Sequence, residues 1–456
     1  MTAEPTTTGE TTPEPAQTWR FPKQFWLANL MELCERAAYY GFFIVLTLYL
    51  TDIAGFSDRE TGFVAGIFYA GLYLLPPFVG ALSDRMGFKK ALLLAFGLLA
   101  TGYFFLGVFH TKPAVLFFLF LAMVGGSFIK PLITGTVAKT TDKANRARAY
   151  SLFYWVVNIG SFSGKTVVPS IRQGIGLEYV NFFSAAMCVL ALLVALFLFQ
   201  PTEADSERKS LRDIFRSFWS ILTNGRLMAL TVIVSGFWII QAQMYATMPK
   251  YVIRLLGKSA KPEWLANVNP LAVVLCVVVV TQLMRKRTAV ASMLVGMVIM
   301  PFSAAAMALS TTLEAYTGSQ VDFGIVTLHP LTVMMIVGIA LQGLAECFIS
   351  PRFLEYFSVQ APKGEEGTYL GFSHLHSFIS AMAAFFMSGF LLEGYCPDPK
   401  TLPEGLTAAQ RATYYAEAHH IWYYFVGIGF TAAIALIVFR LVTRRFDARH
   451  GTAPAA

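Results

Sequence analysis

Twelve long apolar runs follow one another along the chain, and they leave it few ways to fold. They lie at about Phe25–Tyr49, Gly62–Leu82, Ala91–Phe109, Ala114–Ala138, Ala149–Pro169, Tyr179–Leu198, Leu227–Tyr251, Leu265–Met284, Ala289–Leu309, Leu331–Val359, Thr368–Glu393 and Tyr414–Val442. About 20 helical residues cross the hydrocarbon core of a bilayer, and each run is long enough. An all-α integral membrane protein with 12 transmembrane helices is expected. Of the 456 residues 56% are hydrophobic and 14% charged, with a mean hydropathy of +0.57; soluble domains carry about 25% charged residues. One long polar break, Gln200–Arg226, divides the chain into halves of similar length. The expected organisation is a disordered tail at 1–20, rich in Thr, Glu and Pro, six-helix bundles at 21–199 and 227–443, a linker at 200–226 and a tail at 444–456. The start of the chain lacks the basic and short apolar regions of a signal peptide, so the first run is expected to stay as a helix.

Lysine and arginine set the expected orientation. The side holding both termini carries 22 of them and the opposite loops 8, so both termini are expected to be cytoplasmic, in the cell (inner) membrane. The net charge of +8 sits at helix ends and does not suggest nucleic-acid binding. Five scattered cysteines without metal spacing argue against a disulfide framework. Five basic residues fall within or near the spans: Arg36, Lys130, Lys165, Lys250 and Arg352. Lys250 and Arg352 are near enough to the ends to reach an interface; Arg36, Lys130 and Lys165 are too deep.

The first run holds Glu32, Glu35, Arg36, Tyr39 and Tyr40. Steps of three and four put them on one helical stripe. An ionisable residue at the centre of a span costs about 2.5–3.5 kcal/mol on insertion scales and usually lines a pathway. The stripe is therefore the leading functional candidate, with a helix-locking ion pair as the plainer alternative. In the fourth run Lys130 precedes Pro131, which kinks the helix beside it. This lysine needs a carboxylate or water, and the first-run glutamates are the obvious partners. In the fifth run Tyr154, Asn158, Ser161 and Lys165 form one polar stripe, while Gly160 and Gly164 suit close packing. The seventh offers Trp238, Gln241 and Tyr245 on one face; the tenth offers Gln342, Glu346 and Ser350. In the eleventh, His374 and His376 are read as helix-end residues rather than proton carriers.

The segment from Gly80 to Lys90, with Asp84, Arg85 and Gly87, resembles the signature loop of the major facilitator superfamily. Other motifs narrow the resemblance. Glu32-x-x-Glu35-Arg36-x-x-Tyr39-Tyr40-Gly41 looks like the first-helix ExxERFxYYG signature of the proton-dependent oligopeptide transporter family, and Phe153-Tyr154-x-x-x-Asn158-x-Gly160-Ser161 like its fifth-helix motif. Lys130-Pro131 is similar to its fourth-helix lysine, and Glu346 through Pro351 to its tenth-helix segment. The resemblance implies a major facilitator fold of two six-helix bundles. It implies proton coupling by Glu32, Glu35, Arg36 and Lys130. It also implies a pocket of Arg36, Tyr39, Tyr69, Lys130, Tyr154, Asn158 and Glu346, to which Trp238 and Gln241 are added from their helix face. Asp84 and Arg85 would gate. Three features depart from the pattern: Ala37 replaces a Phe, the linker has no room for two extra helices, and Ala242 stands where a glutamate is usual.

The expected function is a proton-coupled symporter importing di- or tripeptides, or similar small zwitterions, by alternating access. Its partners would be the small-molecule substrate, protons and the lipid bilayer. No cofactor is expected beyond the proton as coupling ion, and the chain is expected to be a monomer. Proton-coupled export of drugs or metabolites is the alternative, with a non-transporting receptor behind it. No nucleophile–base pair, metal site or phosphate loop points to an enzyme.

Overall fold

A chain in lipid must satisfy its backbone N–H and C=O groups within itself, so apolar runs of this length become helices. The computed structural model describes residues 19–141, 145–200, 211–360, 369 and 372–450. Residues 1–18 of the expected tail at 1–20, residues 201–210 of the expected linker and most of the link before the eleventh helix lie outside the described residues.

In the first half, α1 is Lys23–Asp52, α2 is Asp58–Leu74 and Pro76–Met86, and α3 is Phe88–Val108. Next come α4, Lys112–Lys139, α5, Arg146–Gly174, and α6, Tyr179–Leu193 with a π turn at Val194–Leu198. The second half opens with α7 in three pieces, Gly225–Gln241, Gln243–Ala246 and Met248–Leu256. It continues with α8 (Pro262–Leu265 and Val268–Met284), α9 (Ala289–Ala308), α10 (Pro330–Gln360), α11 (Leu375–Tyr395) and α12 (His420–His450). Ten of the twelve meet the length and hydropathy of a membrane span; α2 and α5 do not. Physical reasons are visible in both. Pro76 and Pro77 interrupt α2, because proline lacks an N–H and clashes with the preceding turn. The polar stripe that marks α5 lowers its hydropathy. The polar linker also contains a helix, Leu211–Thr223, and a two-residue hairpin, Val321–Asp322 with Thr327–Leu328, lies between α9 and α10.

Local chemistry sets several joints. Ser57 caps α2: its hydroxyl accepts from Glu60 N–H, and the Glu60 carboxylate accepts from Ser57 N–H. Gly87, at φ +85°, makes the sharp turn into α3 that the loop pattern anticipates. At Gly160 and Gly164, α5 lies against α1 so closely that an added Cβ would meet Leu33 O and the Ala37 backbone.

Each half has its own apolar core. Phe42, Phe96, Leu99 and Tyr103 belong to the first, and Phe237, Met293, Met335 and Trp422 to the second. The cores interleave where Phe385 of α11 enters the first and Leu48 of α1 the second. We call the face where α6 ends and α7 begins the terminal face. On the opposite face the halves are sealed together. Backbone meets backbone there at Gly62 and Gly389 between α2 and α11. Asp58 takes Lys250 at 2.7 Å and Arg254 at 2.8 Å. Arg172 pairs with Glu263 at 2.6 Å and donates to the Lys258 and Ala260 carbonyls. A cavity of about 900 Å³ lies over this seal. Lys250, expected to reach an interface, is instead 1% exposed and held by Asp58. Its helix end is covered by the other half, so the ammonium finds a carboxylate before it finds water.

Two outcomes are expected. Gly164→Val should destabilise the protein by about 1–3 kcal/mol or more, because the Ala37 backbone cannot yield as a side chain would; thermal unfolding in detergent measures this. Asp58→Asn should leave Lys250 without its carboxylate and Arg254 with Asp398 alone, at 3.7 Å, and breaking such a buried pair typically costs about 3–5 kcal/mol. Hydrogen exchange at residues 248–256 should then rise, and an unchanged rate would show that the pair does not hold the seal.

Candidate functional site

The site begins on α1. Helical spacing brings Glu32 and Glu35 to either side of Arg36, which pairs with Glu32 at 3.3 Å and also with Glu35. Glu32 and Glu35 are 4% and 2% exposed, so two carboxylates share one guanidinium away from water. One Glu32 oxygen has no hydrogen-bond partner among the described residues. The guanidinium lies 5.2 Å from the Tyr39 ring and 5.9 Å from that of Tyr40. Tyr40 has a second cation at its ring, Lys165 of α5, at 5.6 Å. Lys165 is 1% exposed and donates to the Ala266 carbonyl of α8 at 3.2 Å. The α5 stripe therefore ends at the contact between the halves.

Across from this stands Glu346 of α10, half-buried. Gln241 of α7 donates to it at 3.0 Å and Asn269 of α8 at 3.3 Å. No lysine or arginine forms an ion pair with it among the described residues. The Gln241 carbonyl oxygen, the Trp238 indole N–H and both ends of the Gln342 amide are buried and have no partner among the described residues. The break in α7 at Ala242 and Thr247 falls next to Gln241.

An aromatic wall joins the two groups. Phe43 stacks on Tyr69 at 4.9 Å and meets Tyr245 at 4.8 Å, and the Tyr69 hydroxyl is 3.3 Å from that of Tyr73. Tyr154 is 51% exposed, and Asn158 turns its amide back to the Tyr154 carbonyl at 2.8 Å, so among the described residues neither side chain hydrogen-bonds to another helix.

Lys130 does not bind the α1 glutamates as the sequence suggests. Arg36 already occupies both, and among the described residues the Lys130 ammonium donates to His374 Nε2 of α11 at 3.0 Å. The Tyr73 ring lies 5.9 Å from Lys130 and 6.0 Å from the His374 ring. His374 is thus more than a helix-end residue. His376 is enclosed, stacked on Trp238 at 5.2 Å with its Nδ1 3.1 Å from Ser377. Of the loop pair, the Asp84 side chain lies outside the described residues, and Arg85 is exposed. Sequence reasoning did not single out Asn269, Tyr73 or the Asp58–Lys250 pair; none lies in a motif, and their partners are distant in the chain.

The comparisons agree with this architecture. Residues 28–321, more than half of the chain, match the model of the Major Facilitator Superfamily. The chain is 31% identical over 180 residues to dipeptide and tripeptide permease B of Aliivibrio fischeri (strain MJ11), a stretch that is 39% of this chain and 36% of that one. It is 32% identical over 177 residues to the permease B of Shigella dysenteriae serotype 1 (strain Sd197), covering 38% and 36%. The chain thus matches little more than a third of the length of these curated relatives. Among solved structures, the POT family transporter PepTSo aligns with a TM-score of 0.69 at 19% identity, over 92% of this chain and 98% of that one. The nucleoside transporter NupG aligns at 0.72 and 14%, over 92% and 99%. With the fold, the sealed halves and the family match together, the chain belongs to the major facilitator superfamily and is a multi-pass membrane protein.

Proposed function

We propose that this protein is a proton-coupled symporter for di- or tripeptides or similar small zwitterions, working by alternating access. The observation that carries the reading is the opposition of charge types. Arg36 and Lys130 stand in the first half, and Glu346, held by neutral amides, stands in the second. A zwitterion presents an anionic end to the first group and a cationic end to the second. Binding at the junction of two repeats near mid-membrane suits rocking of one bundle on the other. The unpartnered Trp238 N–H and Gln241 carbonyl supply further hydrogen bonds to a polar solute; a buried polar group without a partner calls for such an explanation.

Proton coupling rests on the α1 triad. Arg36 neutralises only one unit of the charge on Glu32 and Glu35. When a substrate carboxylate draws the guanidinium away, a carboxylate is left buried and uncompensated, and taking up a proton relieves it. In this scheme residues 21–199 and 227–443 move as two bodies, both termini are cytoplasmic, and the seal on the opposite face closes the outside. Likeness to dipeptide and tripeptide permeases in part of the chain supports the substrate class. A second reading, proton-coupled export of drugs or metabolites, draws on Ala242, a buried alanine where the peptide transporters usually have an acid.

Reconstitution in liposomes with an inward proton gradient tests the proposal. Uptake of a labelled dipeptide should exceed its level without a gradient, and Glu35→Gln should remove the gradient dependence. Full uptake with unchanged pH dependence in Glu35→Gln would defeat the coupling scheme. Efflux driven by the same gradient would favour the exporter.

A further inference from the structure

Two histidines sit at the start of α11, and their surroundings differ. His376 is 4% exposed, stacked on Trp238 and edge-on to Phe353 at 4.9 Å. It packs as part of the second half. His374 is half-buried, 6.1 Å from His376 ring to ring, and reaches across to the other half. Its partner Lys130 is exposed on α4, so water and protons reach the contact.

The chemistry of this contact is one-sided. An ammonium has three donors and no acceptor, and Lys130 therefore needs a lone pair. A neutral imidazole offers one at Nε2; an imidazolium offers none. Protonating His374 thus removes the acceptor and sets two cations about 3 Å apart. No other titratable or charged group facing the contact replaces the lost acceptor, and the α1 triad, with one negative charge in excess, acts on Lys130 only from a distance. From α2 comes Tyr73, with Tyr69 behind it; from α1, Arg36 and the glutamates it already pairs; from α11 itself, His376. From α7 and α10 the neighbours are Trp238 and Phe353 around His376, and from the linker helix Phe218 against Phe372. No carboxylate forms an ion pair with His374 or Lys130 among the described residues.

We propose that His374 is a proton-accepting group of the transport cycle, and that its bond to Lys130 is a latch between the two halves, closed while the imidazole is neutral and released when it takes a proton. The contact lies towards the terminal face, away from the Asp58 seal, so release loosens the end of the molecule that the seal leaves free. It also frees Lys130 to meet an anionic solute. Histidine is suited to this because one proton changes its charge; the Lys130 ammonium beside it, then burial, hold its proton affinity well below the ordinary value, so the latch is closed near neutrality and release requires acidification. The place of the latch in transport rests on the proton-coupled reading above; the contact and its response to protons do not.

The test needs no substrate. Nitroxides carried on non-natural residues at positions 150 and 359, at the terminal ends of α5 and α10, report the separation of the halves in the full-length protein by pulsed electron spin resonance. The native chain should show a short-distance population at pH 8.0 that is lost by pH 4.5. His374→Gln, whose amide oxygen still accepts from Lys130 but takes no proton, should keep that population at both pH values. His374→Lys should lack it at both. Loss on acidification in His374→Gln to the same extent as in the native chain would overturn the proposal, as would a native chain whose distances ignore pH. If the glutamine variant fails to fold, a short-distance population in His374→Lys at pH 8.0 overturns it instead. Failure of dipeptide uptake with this pH response intact would reject the peptide reading and leave the latch standing.

Discussion

One guanidinium shared by two buried carboxylates governs how α1 sits in the molecule. In a low-dielectric interior a charge left alone is expensive, and the penalty is met by pairing. Arg36 can satisfy Glu32 and Glu35 together because helical spacing brings all three to one face. That face cannot look at lipid. It turns inwards, and α5 must then approach α1 closely enough to cover it, which is where the glycines at 160 and 164 are required. The aromatic rings above the triad follow from the same need, since Tyr39 and Tyr40 offer the cation a polarisable surface without adding charge.

Charge pairing of another kind closes the opposite face. Asp58 holds two cations of α7, and Arg172 holds Glu263, each bond joining one half to the other. The two sets of ion pairs serve different ends. Those on α1 lie within a single helix, so movement of the halves does not by itself break them. Those on the seal exist only while the halves meet, so their strength counts towards one state of the molecule alone.

This difference decides what can be read from sequence. The number of helices, the polar break between the halves and the α1 triad are written in local spacing, and the chain alone reveals them. The Gly87 turn is local too. Contacts across the halves are not. Asp58 and Lys250 are 192 residues apart, and Lys130 and His374 are 244 apart. Lys250 lies near the end of an apolar run, which reads as a residue reaching for the interface, because nothing nearby announces Asp58. His374 reads as a helix-end residue for the same reason. Lys130 is recognisable as a cation within a span that needs a partner, but the sequence offers the α1 glutamates first, and only the packed structure reveals that Arg36 has already taken them. The break within α2 is signalled by Pro76-Pro77, yet the unbroken hydropathy around it masks the signal.

The helix within the linker has a mechanical consequence. The Phe218 ring lies tilted against Phe372 at 5.1 Å, two residues before His374, and Ile221 is buried while Trp219 stays 67% exposed. This helix of the connection is therefore fastened to the root of α11. The same linker helix also lies against the second piece of α2, in the first half. A helix that rests on both bundles lets one tilt against the other but resists their drawing apart. Rotation is thereby favoured over separation by the way the chain is tied.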